Sequence, residues 1–189
     1  FQIIVHEGMV HVGWTTHVQD SDSWSLRDFG RPFRDATTGM LPPKLARLMT
    51  NLAGKESANK TLLDPFCGGG TVPMEACLLG YPTIIGTDTD SRQVNGATQN
   101  MQWLEQAHVV TSEQRQRMTF KVQQVETLSQ VVKGPIDVIV TEGFMGKPLN
   151  GNEQRSWLEQ HKREIEHLWE HAFATFAALQ PEHGTIVAS

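Results

Sequence analysis

Three short segments of the sequence place acidic residues directly after apolar runs. The first covers residues 61–76 and reads TLLDPFCGGGTVPMEA. Its apolar run ends at Asp64, three consecutive glycines follow, and a helix is expected from Thr71. Glycines at such a turn let a ligand lie against bare backbone, and the first turn of the helix presents free N–H groups. The segment therefore predicts a cofactor-binding turn.

The spacing of these glycines argues against two common cofactor classes. A dinucleotide fingerprint would need glycine where Pro73 stands, and no Lys-Ser/Thr pair follows the glycines as it does in a nucleoside triphosphate loop. Nicotinamide dinucleotides and nucleoside triphosphates are therefore disfavoured. The alternative interpretation is a turn that only connects a strand to a helix.

The second segment, residues 83–90, reads TIIGTDTD and carries two acidic residues at its end. Asp88 follows the glycines by about 20 residues, the offset at which an acidic residue holds ribose hydroxyls. We predict that Asp88 is the ribose ligand. Asp90 is better placed as the N-cap of a helix that begins near Ser91.

The third segment, residues 137–149, reads DVIVTEGFMGKPL and is expected to end at the same edge of the sheet. This is where we expect the substrate. An exocyclic amine of a base is a poor nucleophile, and it is helped by an acceptor for its protons and by an aromatic ring that stacks the base. We predict these catalytic roles for Glu142 and Phe144. The alternative is a surface or helix-capping carboxylate beside a core ring.

Between these segments the apolar pattern switches repeatedly between strand and helix periods. We predict an N-terminal hairpin over residues 1–18, an extended or looped lead-in over 20–43, and a helix from Lys44 to about Ala53. Strands are expected at 61–63, 83–87, 118–122, 136–141 and 185–188, and helices at 72–79, 91–106 and 153–179. This order predicts an α/β fold, a doubly wound, mostly parallel Rossmann-like sheet. Residues 1–43 form the expected N-terminal segment and residues 44–189 the main domain.

Composition narrows the class of protein. The 189 residues, 39% of them hydrophobic, suit one globular domain. No apolar run is long enough to cross a bilayer, and no signal peptide is evident, so we expect a soluble, cytoplasmic protein without a membrane partner. Cys67 and Cys77 are expected to be reduced, and we predict no metal site. The net charge of −5 argues against a surface that binds nucleic acid throughout, although residues 27–47 carry five basic residues against two acidic ones.

Two stretches of the chain resemble a known family. They are RDFGRPFRDATTGMLPPKLARLMTNLAG at residues 27–54 and LLDPFCGGGTVPMEACLLGY at residues 63–81. Both are similar to the tRNA guanosine N2-methyltransferases of archaea and eukaryotes. These are class I S-adenosylmethionine-dependent enzymes whose catalytic domain usually follows an RNA-binding THUMP domain.

The resemblance implies S-adenosylmethionine as cofactor and methyl transfer to the N2 amine of a guanine in tRNA or another structured RNA. It implies that the ribose is held by Asp88 and the adenine amine by Gln124. The methionine end would be lined by Asp64, Phe66, Gly68, Gly70 and Thr71. The RNA-binding residues would be Arg27, Arg31, Arg34 and Lys44, near the entrance through which a flipped base arrives.

The chain departs from the family at two motifs. Where the family has Asp/Asn-Pro-Pro-Tyr/Phe, residues 141–145 contain no proline. Aligning Glu142 with the family acid leaves Met145 at the aromatic position, whereas aligning Thr141 there restores Phe144 as the aromatic. Gln124 stands where an adenine-binding Asp is expected.

Two further expectations concern completeness and activity. The class I fold normally closes with an antiparallel hairpin after its fifth strand, so we expect the main domain to be incomplete after Ser189 and the RNA-binding domain to be separate or missing. The altered motifs leave two other functions open. One is an amino-methyltransferase that acts on DNA or protein, and the other is a catalytically impaired cofactor-binding module.

Overall fold

The computed structural model of the chain describes residues 1–35, 39–54, 58–146, 149 and 151–189. Parts of the predicted lead-in and of the predicted substrate loop, residues 36–38 and 147–148, lie outside the described residues. The chain divides into two compact units, Phe1–Gly30 and Arg31–Ser189. The predicted division between residues 43 and 44 stays a prediction.

The first unit is a hairpin followed by a helix. Strands β1 (Gln2–His6) and β2 (Met9–Gly13) pair antiparallel, as predicted. The predicted looped lead-in is wrong over α1 (Ser21–Phe29). This helix begins where the Asp20 carboxylate accepts from the backbone N–H of Ser23 at 3.1 Å, so a local cap produces a helix in a stretch with little apolar periodicity.

The second unit is built on a five-stranded sheet. Its strands are β3 (Thr61–Asp64), β4 (Thr83–Asp88), β5 (Met118–Val122), β6 (Val138–Thr141) and β7 (Thr185–Ala188). Their spatial order is β5-β4-β3-β6-β7, and every pairing is parallel. The predicted doubly wound sheet is therefore confirmed. The strand order reverses between β3 and β6, and ligands of such sheets bind outside the carboxyl ends of the strands at this point.

The helices follow the predicted order closely. They are α2 (Pro43–Leu52), α3 (Thr71–Leu78), α4 (Ser91–Gln106), α5 (Ser112–Gln116) and α6 (Arg155–Leu179), with a 3₁₀ segment at Val125–Gln130. The short helix α5 and the 3₁₀ segment were not predicted. Helix α5 begins with a capping box, in which Thr111 and Gln114 exchange hydrogen bonds, a local signal that apolar periodicity does not register.

Both faces of the sheet are covered by apolar side chains. Leu62 and Val138 pack on one side against α2, α3 and α4, while their neighbours Leu63 and Ile139 pack on the other side with α6 and the 3₁₀ segment. The alternation follows the two-residue period of a strand and explains why both faces are apolar. Among the described residues, no helix has the length and apolar character needed to cross a membrane.

Candidate cofactor and substrate site

A cavity of about 540 Å³ opens at the carboxyl ends of β3, β4 and β6. It lies at the point where the strand order reverses. Seven residues with predicted cofactor or catalytic roles line it: Asp64, Phe66, Gly68, Thr71, Asp88, Glu142 and Phe144. Residues from three separate stretches of sequence therefore meet in one cavity.

The glycine turn after β3 depends on backbone conformations that other residues rarely adopt. Gly68 has φ +48° and Gly70 has φ +84°. Gly70 does not line the cavity; a Cβ there would lie 3.0 Å from Cβ of Ala97 on α4. Gly68 thus leaves bare backbone at the cavity wall, while Gly70 lets the turn approach the neighbouring helix.

Asp88, at the end of β4, accepts hydrogen bonds from two backbone segments that line the cavity. Its Oδ2 accepts from the backbone N–H of Gly68 at 2.9 Å, and its Oδ1 accepts from that of Asp90 at 3.0 Å. The Asp90 side chain in turn accepts from the N–H of Arg92 at 2.7 Å and caps α4, which confirms its predicted role. The Asp88 carboxylate is half-buried and faces the cavity.

Asp64 is the most deeply buried carboxylate of the cavity, with 2% of its surface exposed. Its Oδ1 accepts from the Thr141 hydroxyl at 2.8 Å and from the backbone N–H of Phe66 at 3.3 Å. Burial raises the pKa of Asp64 to about 7 against the opposing effect of these two hydrogen bonds, and the negative charges of Asp88 and Glu142 raise it further. A positively charged ligand group near Asp64 would favour the ionised form of this carboxylate.

The loop after β6 is held in place by α6. A Cβ at Gly143 would overlap the indole of Trp169, and one at Gly146 (φ +103°) would lie 2.8 Å from Nε2 of His161. Close packing on the helix therefore requires glycine at both positions. Between these contacts Glu142 and Phe144 line the cavity. Burial raises the pKa of Glu142.

Residues before α2 also contribute to the cavity. Asn100, buried inside α4, accepts from the backbone N–H of Phe33 and donates to the carbonyl oxygens of Phe33 and Gly69, at 3.0, 3.1 and 2.8 Å. One side chain thus ties the segment around Phe33 to the glycine turn. Asn100 was not predicted as a site residue. Its signal is an amide in the interior of a predicted helix, where asparagine is disfavoured without a partner.

The predicted RNA-binding residues have very different environments. Arg34 and Lys44 are exposed. Arg31 is only 4% exposed, lines the cavity and donates through Nη1 to the Thr71 hydroxyl at 2.6 Å. In the N-terminal unit, Arg27 lies 4.3 Å from the centre of the Trp24 ring and is buried. Their roles in RNA binding stay predictions.

Gln124 is exposed at the start of the 3₁₀ segment. It is not among the described residues that line the cavity. Its neighbour Gln123 donates from its backbone to the carbonyl oxygen of Asp88 at 2.9 Å and so continues the contact between β5 and β4. The predicted contact of Gln124 with adenine stays a prediction.

The chain matches the family model for the RMKL-like methyltransferase domain, UPF0020, over residues 31–159. The match covers more than half of the chain and includes the glycine turn, Asp88 and the loop after β6.

Curated relatives match over shorter segments. A tRNA (guanine(10)-N2)-dimethyltransferase from Methanothermobacter thermautotrophicus is 43% identical over 76 residues, which are 40% of this chain and 21% of that protein. The protein of the same name from Methanocaldococcus jannaschii is 44% identical over 64 residues, 34% of this chain and 18% of its own length. The matched segments therefore span about a fifth of these relatives.

Solved structures share the fold. TrmN from Thermus thermophilus superposes with a TM-score of 0.57 at 24% identity, over 80% of this chain and 39% of that one. A predicted N6-adenine-specific DNA methylase from Listeria monocytogenes gives 0.56 at 19% identity, over 79% of this chain and 43% of that one. At these identities the similarity shows the fold alone, and it agrees with the Rossmann-like sheet predicted from the sequence.

Proposed function

We propose that this chain, which belongs to the RMKL-like methyltransferase domain family, binds S-adenosylmethionine and methylates the exocyclic N2 amine of a guanosine in tRNA. The observation that carries the proposal is the meeting of a glycine turn with Asp64, Asp88 and Glu142 in one cavity at the reversal of strand order. The printed names of two similar relatives, both tRNA (guanine(10)-N2)-dimethyltransferases, supply the substrate class.

The cavity fits the cofactor in size and chemistry. Its volume of about 540 Å³ lies within the range of sites for ligands of this size. Asp88 would accept hydrogen bonds from the ribose hydroxyls, and Gly68 leaves room for the ligand against the backbone. The buried Asp64 would face the ammonium group of the methionine moiety, because a nearby cation offsets the cost of keeping this carboxylate ionised.

Glu142 and Phe144 support transfer to an amine. Bound S-adenosylmethionine supplies an electrophilic methyl group on its sulfonium. The Phe144 ring, 46% exposed at the cavity, would stack on the base and orient its amine. The Glu142 carboxylate would accept the proton that the amine loses as the new N–C bond forms. The raised pKa of Glu142 suits this role, since an effective general base has a pKa close to the working pH.

The contacts of Thr141 favour one of the two alignments of the substrate motif. Its side chain is fully buried and its hydroxyl is committed to Asp64. Glu142, by contrast, lines the cavity. We therefore assign the family's acidic position to Glu142. This alignment leaves Met145 at the family's aromatic position, so the proposed stacking ring, Phe144, lies one residue earlier in the loop.

RNA contacts are proposed for the exposed basic residues Arg34 and Lys44, which flank the cavity-lining residues Gly39, Met40 and Leu41 in the sequence. Phosphate contacts of this kind position a nucleic acid and weaken as salt increases. Most of the affinity for tRNA is expected to come from a separate RNA-binding domain, with catalysis assigned to residues 44–189 and to the cavity residues that precede them.

The experiment that tests this function is methyl transfer from isotopically labelled S-adenosylmethionine to unmodified tRNA, followed by digestion and identification of the labelled nucleoside. Label in N2-methylguanosine or its dimethyl form supports the proposal. Duplex DNA and ribosomal protein are offered in parallel reactions. Label in N6-methyladenine or in protein, with none in guanosine, would overturn it.

A further inference from the structure

The cavity is strongly acidic apart from one side chain. Five carboxylates line it: Asp35, Asp64, Asp88, Asp90 and Glu142. Among the described residues of the lining, Arg31 is the one lysine or arginine. With 4% of its surface exposed, its guanidinium is held inside the cavity and is poorly placed to meet the phosphates of a large RNA.

The position of Arg31 is fixed by the start of α3. Its Nη1 donates to the hydroxyl of Thr71, the first residue of that helix, at 2.6 Å. Because Thr71 directly follows the glycine turn, this contact holds the guanidinium beside that turn. The planar guanidinium presents its five N–H donors in a fixed fork, a geometry that matches the two oxygens of a carboxylate.

The same helix start favours an anion. Its N-cap is Gly70, which has no side chain to cap the helix, so the first backbone N–H groups, those of Thr71 and Val72, have no side-chain cap. Both residues line the cavity. The positive end of the helix and the buried guanidinium therefore act on the same region of an otherwise acidic cavity.

We infer that Arg31 binds the carboxylate of the methionine moiety of S-adenosylmethionine, an inference that rests on the proposed function. The methionine moiety carries a carboxylate and an ammonium on the same carbon, so its site needs a cation and an anion side by side. Arg31 with the start of α3 supplies the first, and Asp64 supplies the second. A guanidinium can form two parallel hydrogen bonds to a carboxylate, which fixes orientation as well as adding affinity.

The test compares two ligands that share the adenosine and the sulfur. S-Adenosylhomocysteine contains the amino-acid carboxylate, and 5′-methylthioadenosine lacks the amino acid altogether. Binding of both is measured by isothermal titration for the wild type and for Arg31→Met. We expect Arg31→Met to weaken S-adenosylhomocysteine binding by about 10- to 100-fold, the range for loss of a charged hydrogen bond, and to leave 5′-methylthioadenosine binding unchanged.

Two controls separate a ligand contact from a structural role. Arg155→Met removes an exposed cation that does not line the cavity and should leave both affinities unchanged. A decarboxylated analogue of S-adenosylhomocysteine, titrated into the wild type, should bind as weakly as S-adenosylhomocysteine binds to Arg31→Met. This second comparison needs no variant, so it keeps the inference testable if Arg31→Met does not fold.

Three results would overturn the inference. Equal losses for both ligands would mean that Arg31 shapes the cavity without binding the carboxylate, and no loss for either would mean that it has no role in binding. Equal affinity of the wild type for the decarboxylated analogue would exclude a carboxylate contact. If the wild type binds neither adenosine ligand, the proposed function itself fails, and this is recognised before any variant is compared.

Discussion

The hydroxyl of Thr141 donates a 2.8 Å hydrogen bond to Oδ1 of Asp64, and it joins the carboxyl ends of β6 and β3 where the strand order reverses. Both residues are buried. The bond keeps a carboxylate in a place where burial works against its charge. The stability of the protein without ligand should therefore depend on the protonation of Asp64.

Asp64→Asn is predicted to change how stability depends on pH. The folded pKa of Asp64 is raised to about 7 from 3.8, so between these values the folded protein holds a proton that the unfolded chain releases. The contribution of Asp64 to the free energy of unfolding is fully present below pH 3.8 and is lost as pH rises through about 7. At pH 8 the wild type should be less stable than Asp64→Asn by up to about 4 kcal/mol, and at pH 4 the two should be similar.

Urea unfolding of both proteins between pH 4 and pH 8 measures this difference. Parallel pH profiles for the two proteins would mean that Asp64 is not destabilised when ionised. Asp137→Asn is the matched control, because Asp137 accepts from the Thr61 N–H at the amino end of β3, at the opposite end of that strand from Asp64.

Gly96→Ala is predicted to destabilise the protein although it lies within α4. Glycine to alanine in a helix interior normally stabilises by about 1 kcal/mol. Here the new Cβ would overlap the Phe33 ring, which packs on Gly96. Denaturant unfolding should show a loss of stability, and the double variant Gly96→Ala, Phe33→Ala should be more stable than the sum of the single effects predicts. Simple additivity would show that Phe33 does not pack on α4.

Asp88→Ala is predicted to weaken binding of S-adenosylhomocysteine by about 10- to 100-fold, because ribose hydroxyls lose a charged acceptor. The loss of its bond to the Gly68 N–H should add to the effect. Isothermal titration gives the affinity, and Asp137→Ala serves as the control that removes a carboxylate remote from the cavity. Unchanged affinity in Asp88→Ala would remove Asp88 from the ribose site.

Glu142→Gln is predicted to leave cofactor affinity unchanged and to slow methyl transfer by about 100-fold or more, since general-base catalysis commonly contributes that much. The wild-type rate should fall at acidic pH as Glu142 becomes protonated, and this fall should be missing from the variant. Rates at saturating cofactor and tRNA provide the measurement, with the exposed Glu126→Gln as control. A wild-type rate in Glu142→Gln would assign the proton to another acceptor.

Much of the fold could be predicted because its signals are local. The strand at 61–64, the glycine turn and the helix after it are read directly from short-range pattern and composition. Helix α1 was missed because its signal is a cap at Asp20 and not an apolar stripe. Capping signals of this type involve only a few residues, and they are hard to separate from the turn signals of the Gly and Pro residues that follow them.

The site could be predicted only in part, for a related reason. Asp88 follows from its distance along the chain to the glycines, and Glu142 from its place after a strand. Arg31 and Asn100 acquire their environments from residues 40 and 67 positions away, Thr71 and Phe33. No spacing rule distinguishes such a buried arginine from the exposed Arg34 three residues later. Only packing shows which of the two faces the cavity.

The proposed function depends most directly on whether this cavity binds the cofactor. The decisive measurement is isothermal titration of the purified chain with S-adenosylhomocysteine. We predict saturable binding with one ligand per chain, which Asp88→Ala weakens. Absence of saturable binding by a folded wild-type chain would contradict the account, and the shared fold would then serve another purpose.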